Sequence, residues 1–250
     1  MAKRIIQRKN RKAWFEKFKN IMTCRYKKPQ FIYLGEKIKD GSIIISNHEG
    51  TDGPMTLELY LDTPLRFWGA YEMNEGLAKL YKYQTKVYYH QKKHWNIHLA
   101  RLFCIIASPL TNIFYTGLNL ISTYKDARFV KTLKESHRTI LSGESIVAFP
   151  EDSSSGYHKE LAGFHGGIVM LAEYCYKKGV DVPIYVTYLK KDTVQYVVDE
   201  PIMYSALAAK CQTREEMAGV LLDRCNRIGK MEFDKDGGRL DITAEVEAIA

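Results

Sequence analysis

The chain has 250 residues, 46% of them hydrophobic, and a formal net charge of +8. That apolar content is enough for one sizeable core, and it excludes a disordered, collagenous or repeat chain. The charge is uneven: residues 1–28 hold eleven lysines and arginines against Glu16 alone, so the remainder is slightly acidic.

A basic terminal segment suits an anionic lipid surface, nucleic acid, or simple solvation. The sequence carries no nucleic-acid reading motif, so no nucleic-acid partner is expected. From Trp14 to Met22 apolar residues recur at helical spacing with bases between them, which predicts an amphipathic helix. Residues 1–28 are therefore expected as a membrane-surface segment making peripheral contact with an anionic bilayer. An α/β domain is expected over 29–230 and a tail over 231–250.

"FIYLGEKI" and "SIIIS" read as strands separated by a Lys39-Asp40-Gly41 turn, and Pro54 opens a helix through Leu61. "LRFWGA" is a strand. Residues 75–115 read as mostly helical. "LNLIS" is a strand, and a helix from Asp126 to Leu141 is closed by Gly143. "SIVAFP" is a buried strand, and "HGGIVMLAEYCYKKG" a helix ending at Gly179. "VPIYVTYL" and "TVQYVVDEPI" are strands. In "TREEMAGVLLDRCNRIG", Thr213 and Glu216 are spaced as a capping box. Strands alternating with helices predict a single α/β domain, with a mixed, largely parallel sheet flanked by helices.

Five scattered cysteines without ligand spacing predict reduced thiols and a cytoplasmic chain, which the basic N-terminal segment would associate peripherally with the membrane. The charged N-terminus predicts no secretory signal. The apolar stretch Leu102–Leu110 is about half the roughly 20 residues that a spanning helix needs and contains Pro109, so no span is expected. His90, His94 and His98 would share one face of a regular helix. No acid or cysteine nearby completes a metal site, so no metal is expected. The Tyr/Lys/His-rich stretch from Lys79 to Trp95 suits either a headgroup belt or a solvated helix face.

Two strand ends carry polar clusters. "IIISNHEGTDGP", residues 43–54, delivers His48 and Asp52 to a loop broken by Gly50, Gly53 and Pro54. His48 is placed for general base chemistry with Asp52 orienting it; equally, Asn47 and His48 could satisfy loop backbone groups. "FPEDSSSGYHKEL", residues 149–161, offers Glu151 and three hydroxyls, either as a polar binding loop or as a Ser-rich turn. No Gly-x-Ser-x-Gly elbow is present, which argues against a serine hydrolase.

Together these blocks resemble the PlsC-like glycerolipid acyltransferases. The first is similar to that family's Asn-His-x-x-x-x-Asp block. Gly117–Ser136 resembles its second block, 149–172 its Phe-Pro-Glu-Gly-Thr-Arg-Ser block, and "VPIYVTYL" with "DEPI" its last strands, so that the likeness runs over about residues 30–205. The resemblance implies an acyltransferase with catalytic His48 and Asp52. Glu151, Ser153, Ser154, Gly117 and Thr123 would contact substrate. It implies no cofactor: acyl-CoA or acyl-carrier protein is the acyl donor, and a lipid or polyol hydroxyl the acceptor. The chain departs from the pattern at three points. The family's acid position is Gly53, with Asp52 one residue early, and two phosphate-binding arginines fall on Thr123 and Ser154. An acceptor without a phosphomonoester is therefore expected. The rival reading is a catalytically silent protein that keeps the fold and binds a membrane surface or a partner.

Overall fold

Ile43–Ser46 is apolar or buried on both faces, which only the middle of a sheet covered on both sides can house. The computed structural model, which describes residues 6, 8–152 and 158–240, places it there. In chain order the first elements are α1 (Ala13–Met22), β1 (Gln30–Tyr33), β2 (Ile43–Ser46), α2 (Asp52–Tyr60), β3 (Leu65–Ala70) and α3 (Leu77–Tyr83). A π-helical run over Gln84–Lys92 leads to α4 (Ile97–Leu118), β4 (Ile121–Thr123), α5 (Phe129–Leu141) and β5 (Ser145–Ala148). The chain then forms α6 (Gly167–Lys177), β6 (Pro183–Lys190), β7 (Gln195–Val198), β8 (Ile202–Met203), α7 (Tyr204–Ala208) and α8 (Arg214–Lys230). Seven strands lie in the order β1-β7-β6-β2-β5-β3-β4, with β8 also on β6. Within this sheet only the β6–β7 and β6–β8 pairs are antiparallel. The expected mixed, largely parallel α/β architecture is thus the observed one.

The period of two along the central strands divides the core into two layers. Ile43, Ile45, Ile146 and Val186 face Leu133, Ile168, Leu171, Leu221 and Ile228 of the helices on one side. Ile44, Val147 and Tyr185 face Phe15, Leu57, Leu61 and Leu118 on the other. The expected capping box is present: Thr213 accepts from the Glu216 N–H at 3.1 Å, and Glu216 accepts from the Thr213 N–H. Part of the stretch expected as a tail is folded, with β9 (Glu232–Phe233) and β10 (Arg239–Leu240) forming a small antiparallel pair. Residues 241–250 lie outside the described residues.

The N-terminal segment is built into the fold more deeply than its charge suggests. The helix is there, and Lys9, Lys12 and Lys17 are exposed. Arg8, Arg11 and Lys19 instead are buried around one carboxylate, Glu58 of α2. Arg11 grips it with two nitrogens at 3.2 and 2.7 Å, and Arg8 and Lys19 each stand 3.2 Å away. Arg8 also donates to the carbonyls of Leu57, Glu58, Leu61 and Thr63. Those groups end α2, whose last carbonyls lack helical partners and carry the negative end of the helix dipole. Burial opposes ionisation of Glu58, but Arg11, Arg8 and Lys19 together hold its carboxyl below the usual range.

One further expectation is corrected, that of a shared histidine face, and the apolar stretch is longer than expected from the sequence. Leu102–Leu110 is only the middle of α4, a 22-residue helix with mean hydropathy 1.5 over its most apolar window, and by length and composition it could cross a membrane. Pro109 sits inside it without ending it. The three histidines do not share a helix face. His90 belongs to the π-helical run, His94 has φ of 56°, and His98 starts α4. A left-handed residue between them breaks the period that the spacing implied. Among the described residues no group of three or more His, Cys, Asp or Glu is placed to hold a metal ion.

Candidate functional site

β2 lies between β5 and β6, all parallel, so the loops after β2 and β5 emerge side by side at the carboxyl edge of the sheet. This is where open α/β sheets place their chemistry. Asn47 fixes the first loop. Its side chain accepts from the Leu189 N–H at 2.7 Å and donates to the Leu189 carbonyl at 3.2 Å, so it extends the sheet as a backbone amide would. The Ser46 hydroxyl meets the Tyr196 hydroxyl at 2.6 Å beneath it. The backbone-satisfying role open to Asn47 and His48 thus falls to Asn47.

His48 follows on the rim, partly exposed, with its ring 4.9 Å from that of Phe149. Phe149 stacks in turn 6.3 Å from Phe67, so the imidazole rests on an aromatic wall that runs into the core. The His48 backbone N–H donates to Glu151 Oε2 at 3.1 Å. Glu151 is itself clamped, since its segment pairs with Phe164 and the Asp152 N–H donates to the Gly163 carbonyl at 2.9 Å. Two residues 103 apart in sequence are thereby tied together at adjacent strand ends.

Burial raises the Glu151 carboxyl above the ordinary range; the His48 N–H pulls it back and the charge of Glu49 adds to the rise. Burial also raises Glu49, partly offset by Lys191. The loop that carries His48 therefore brings together two carboxyls, Glu49 and Glu151, that hold protons more readily than free acids do. Glu49 has φ of 42° and Gly50 of 64°. This consecutive left-handed pair folds the chain back sharply before α2 starts.

Asp52 is buried at the first turn of α2, and its carboxylate is engaged by Lys191 Nζ at 2.5 Å and Arg25 Nη1 at 3.7 Å. Both cations lie far from it in sequence, and nothing in the sequence marks them as its partners. Gly53, at the position of the family's acid, is constrained by close packing. A Cβ there would stand 2.6 Å from the His48 carbonyl oxygen and 3.0 Å from that of Asn47. No side chain fits without moving the loop that carries His48. Gly53→Asp is expected to cost about 1–3 kcal/mol, which lowers the melting temperature by roughly 3–10 °C, and to leave turnover no higher than wild type. A thermal melt and a rate measurement on the purified variant check this; a stable, more active variant would show that the loop accepts an acid there.

The remaining candidates are spread out. Thr123 ends β4, three strands from β2, or about 14 Å along the sheet at ordinary strand spacing. Its hydroxyl donates to the Gly69 carbonyl at 2.9 Å. Gly117 is buried in α4 under the ring of Phe15, which would lie 2.2 Å from a Cβ. The structure gives it a packing role between α1 and α4. Ser153 and Ser154 lie outside the described residues. Of the bases near these blocks, Arg128 is forked onto Asp126 at 2.8–3.1 Å and lies over Tyr71 and Tyr124. Lys159 pairs with Asp192 at 2.8 Å.

No protein-family profile matches this chain, and no curated protein does. A solved structure similar to it is the crystal structure of the 1-acyl-sn-glycerophosphate (LPA) acyltransferase, PlsC, from Thermotoga maritima. The two are 14% identical with a TM-score of 0.47, and the match covers 86% of this chain and 76% of that one.

Proposed function

We propose that the chain is an acyltransferase that moves a fatty acyl group from an acyl-CoA or acyl-carrier-protein thioester to a hydroxyl of a lipid or polyol. One observation carries the reading. The His-bearing loop and the Glu-bearing loop, whose sequences resemble two blocks of the acyltransferase family, are joined by the His48–Glu151 hydrogen bond at adjacent parallel strand ends.

In this reading His48 takes the proton of the acceptor hydroxyl as its oxygen attacks the thioester carbonyl carbon. The tetrahedral oxyanion collapses, the carbon–sulfur bond breaks, and the proton passes to the departing thiolate. Phe149 holds the imidazole, and Asn47 and Glu151 hold the backbone on which it rides. Asp52 acts through Lys191 and Arg25, keeping the loop against the end of β6. Thr123 offers one neutral hydroxyl, already used within the sheet, where the resemblance places a charged fork. A phosphomonoester with nearly two charges would lack a cation there, so a neutral diol, sugar or amide head is the favoured acceptor.

The silent-scaffold reading is favoured by one observation, the closed acid position at Gly53. Turnover decides between the two. Purified protein with long-chain acyl-CoA and a lipid extract is expected to release free thiol and form an acylated product detectable by mass. Glycerol 3-phosphate and lysophosphatidic acid should be poor acceptors, and inorganic phosphate a weak inhibitor. No thiol release from either donor class, with any acceptor, would sink the catalytic reading. Efficient acylation of lysophosphatidic acid would overturn the acceptor reading alone.

A further inference from the structure

α4 is built with its polarity reversed. Its buried side carries Ala100, Cys104 and Ser108. There the Ser108 hydroxyl donates to the buried Gln84 at 2.6 Å, and Gln84 donates to Thr111 at 2.9 Å. Its outer side carries Leu99, Leu102, Phe103, Ile106, Leu110 and Ile113, all exposed. These recur at three- and four-residue steps, so they form one stripe along the helix. An open apolar groove of about 790 Å³ runs along the same side. In water such a stripe is unfavourable, and exposed apolar patches of this kind mark interaction surfaces.

The surroundings of the stripe identify the occupant. Between Gly76 and Lys125 the sequence holds seven lysines and arginines and no aspartate or glutamate. At the N-terminal end of α4 the rings of Tyr89, Trp95 and Phe103 lie within 4.8–5.5 Å of one another, with Tyr88 at 4.9 Å from Tyr89. Apolar stripe, aromatic cluster and a predominantly basic frame, in which Lys79 is paired with Glu75, are the three layers that an anionic bilayer presents in reverse: acyl chains, interfacial zone and charged headgroups. A protein partner would need a matching acidic rim, and a second copy of this basic region would repel the first.

We infer that the α3–α4 region, and not the basic N-terminal segment, docks this protein on anionic membranes, with the outer stripe of α4 laid into the headgroup–acyl boundary. The helix lies on the bilayer instead of crossing it, because Gly117 and Leu118 are held in the core, Gly117 against Phe15. The N-terminal segment has fewer free bases than its sequence suggests, since Arg8, Arg11 and Lys19 are buried on Glu58, which leaves Lys9, Lys12, Lys17, Arg25, Lys27 and Lys28 exposed among the described residues.

The test compares vesicles of phosphatidylcholine with and without phosphatidylglycerol, by co-sedimentation of the full chain. Leu102 is 68% exposed and Ile106 72%, so Leu102→Glu/Ile106→Glu should melt like wild type and elute identically on gel filtration. It should bind anionic vesicles at least about a hundredfold more weakly, from the apolar burial lost at two large side chains. Lys9→Glu/Lys12→Glu/Lys17→Glu should bind within severalfold of wild type. The proposal is overturned if wild type ignores anionic vesicles, or if the α4 variant binds them as wild type does. It is equally overturned if wild type elutes as a dimer that the α4 variant breaks, which would make a second copy the occupant. No turnover is read, so the outcome is independent of the catalytic proposal.

Discussion

His48→Ala is expected to lower acyl transfer by about a hundred- to ten-thousand-fold, the usual worth of a general base. The melt should stay near that of wild type. His48 is partly exposed on the rim and the sheet beneath does not depend on its ring, since the loop is held by its backbone N–H and by Asn47. The backbone hydrogen bond to Glu151 survives the substitution. Rate and melt must be read together: a large loss of rate with an intact melt assigns the chemistry to the imidazole. A variant that keeps most of its activity removes His48 from the mechanism and turns attention to Glu49 and Glu151.

Glu58→Gln is expected to have the largest effect on stability. Removing one partner of a buried ion pair costs about 3–5 kcal/mol, because the remaining charges are left uncompensated. Here three cations, Arg8, Arg11 and Lys19, share that carboxylate, and only Glu16 is left to answer Lys19. At roughly 2–4 °C per kcal/mol for a chain of this size, the melting temperature should fall by about 10 °C. Glu215→Gln, on the exposed first turn of α8, serves as control and should change little. The pH dependence follows from the lowered Glu58 pKa. Its stabilising contribution is complete above the unfolded-state value of about 4.3 and disappears as pH falls through the lower folded-state value. Wild type should therefore lose stability on acidification faster than Glu58→Gln. A loss below about 1 kcal/mol at neutral pH would show that the cluster rearranges around the amide.

Most elements were legible because their ends carry local signals. β3 runs over the same residues as "LRFWGA", and the Thr213–Glu216 spacing gave the start of α8. His48 was legible as a polar residue delivered by an isoleucine-rich strand, and Glu151 as its counterpart after the later strand β5. What escaped are pairings made across the sheet. Arg8, Arg11 and Lys19 look solvated in a run of bases until α2 brings Glu58 among them, 39–50 residues away. Lys191 follows β6 and meets Asp52 only because β6 and β2 are neighbours. The His90–His94–His98 face failed for a local reason, since a π-helical run and a left-handed residue change the period. α4 failed for a global one. Apolar periodicity shows that a helix has an oily stripe, but only the packed fold shows which stripe faces outward.

The pairing of β1 sets the order in which the molecule can assemble. Gln30 sits opposite Gln195 and Tyr33 opposite Val198, in a parallel register spanning 165 residues. β7 reaches that position only as the antiparallel partner of β6. Until the β6–β7 hairpin has formed on the central sheet, β1 has no edge to join, and β7 itself presents an open edge to other chains. Contacts between residues so far apart in sequence close slowly. The sheet should therefore be completed late at this margin. Refolding at high protein concentration should lose material to aggregates seeded at β7, while the β2–β5–β6 centre, with its site-bearing loops, is already in place.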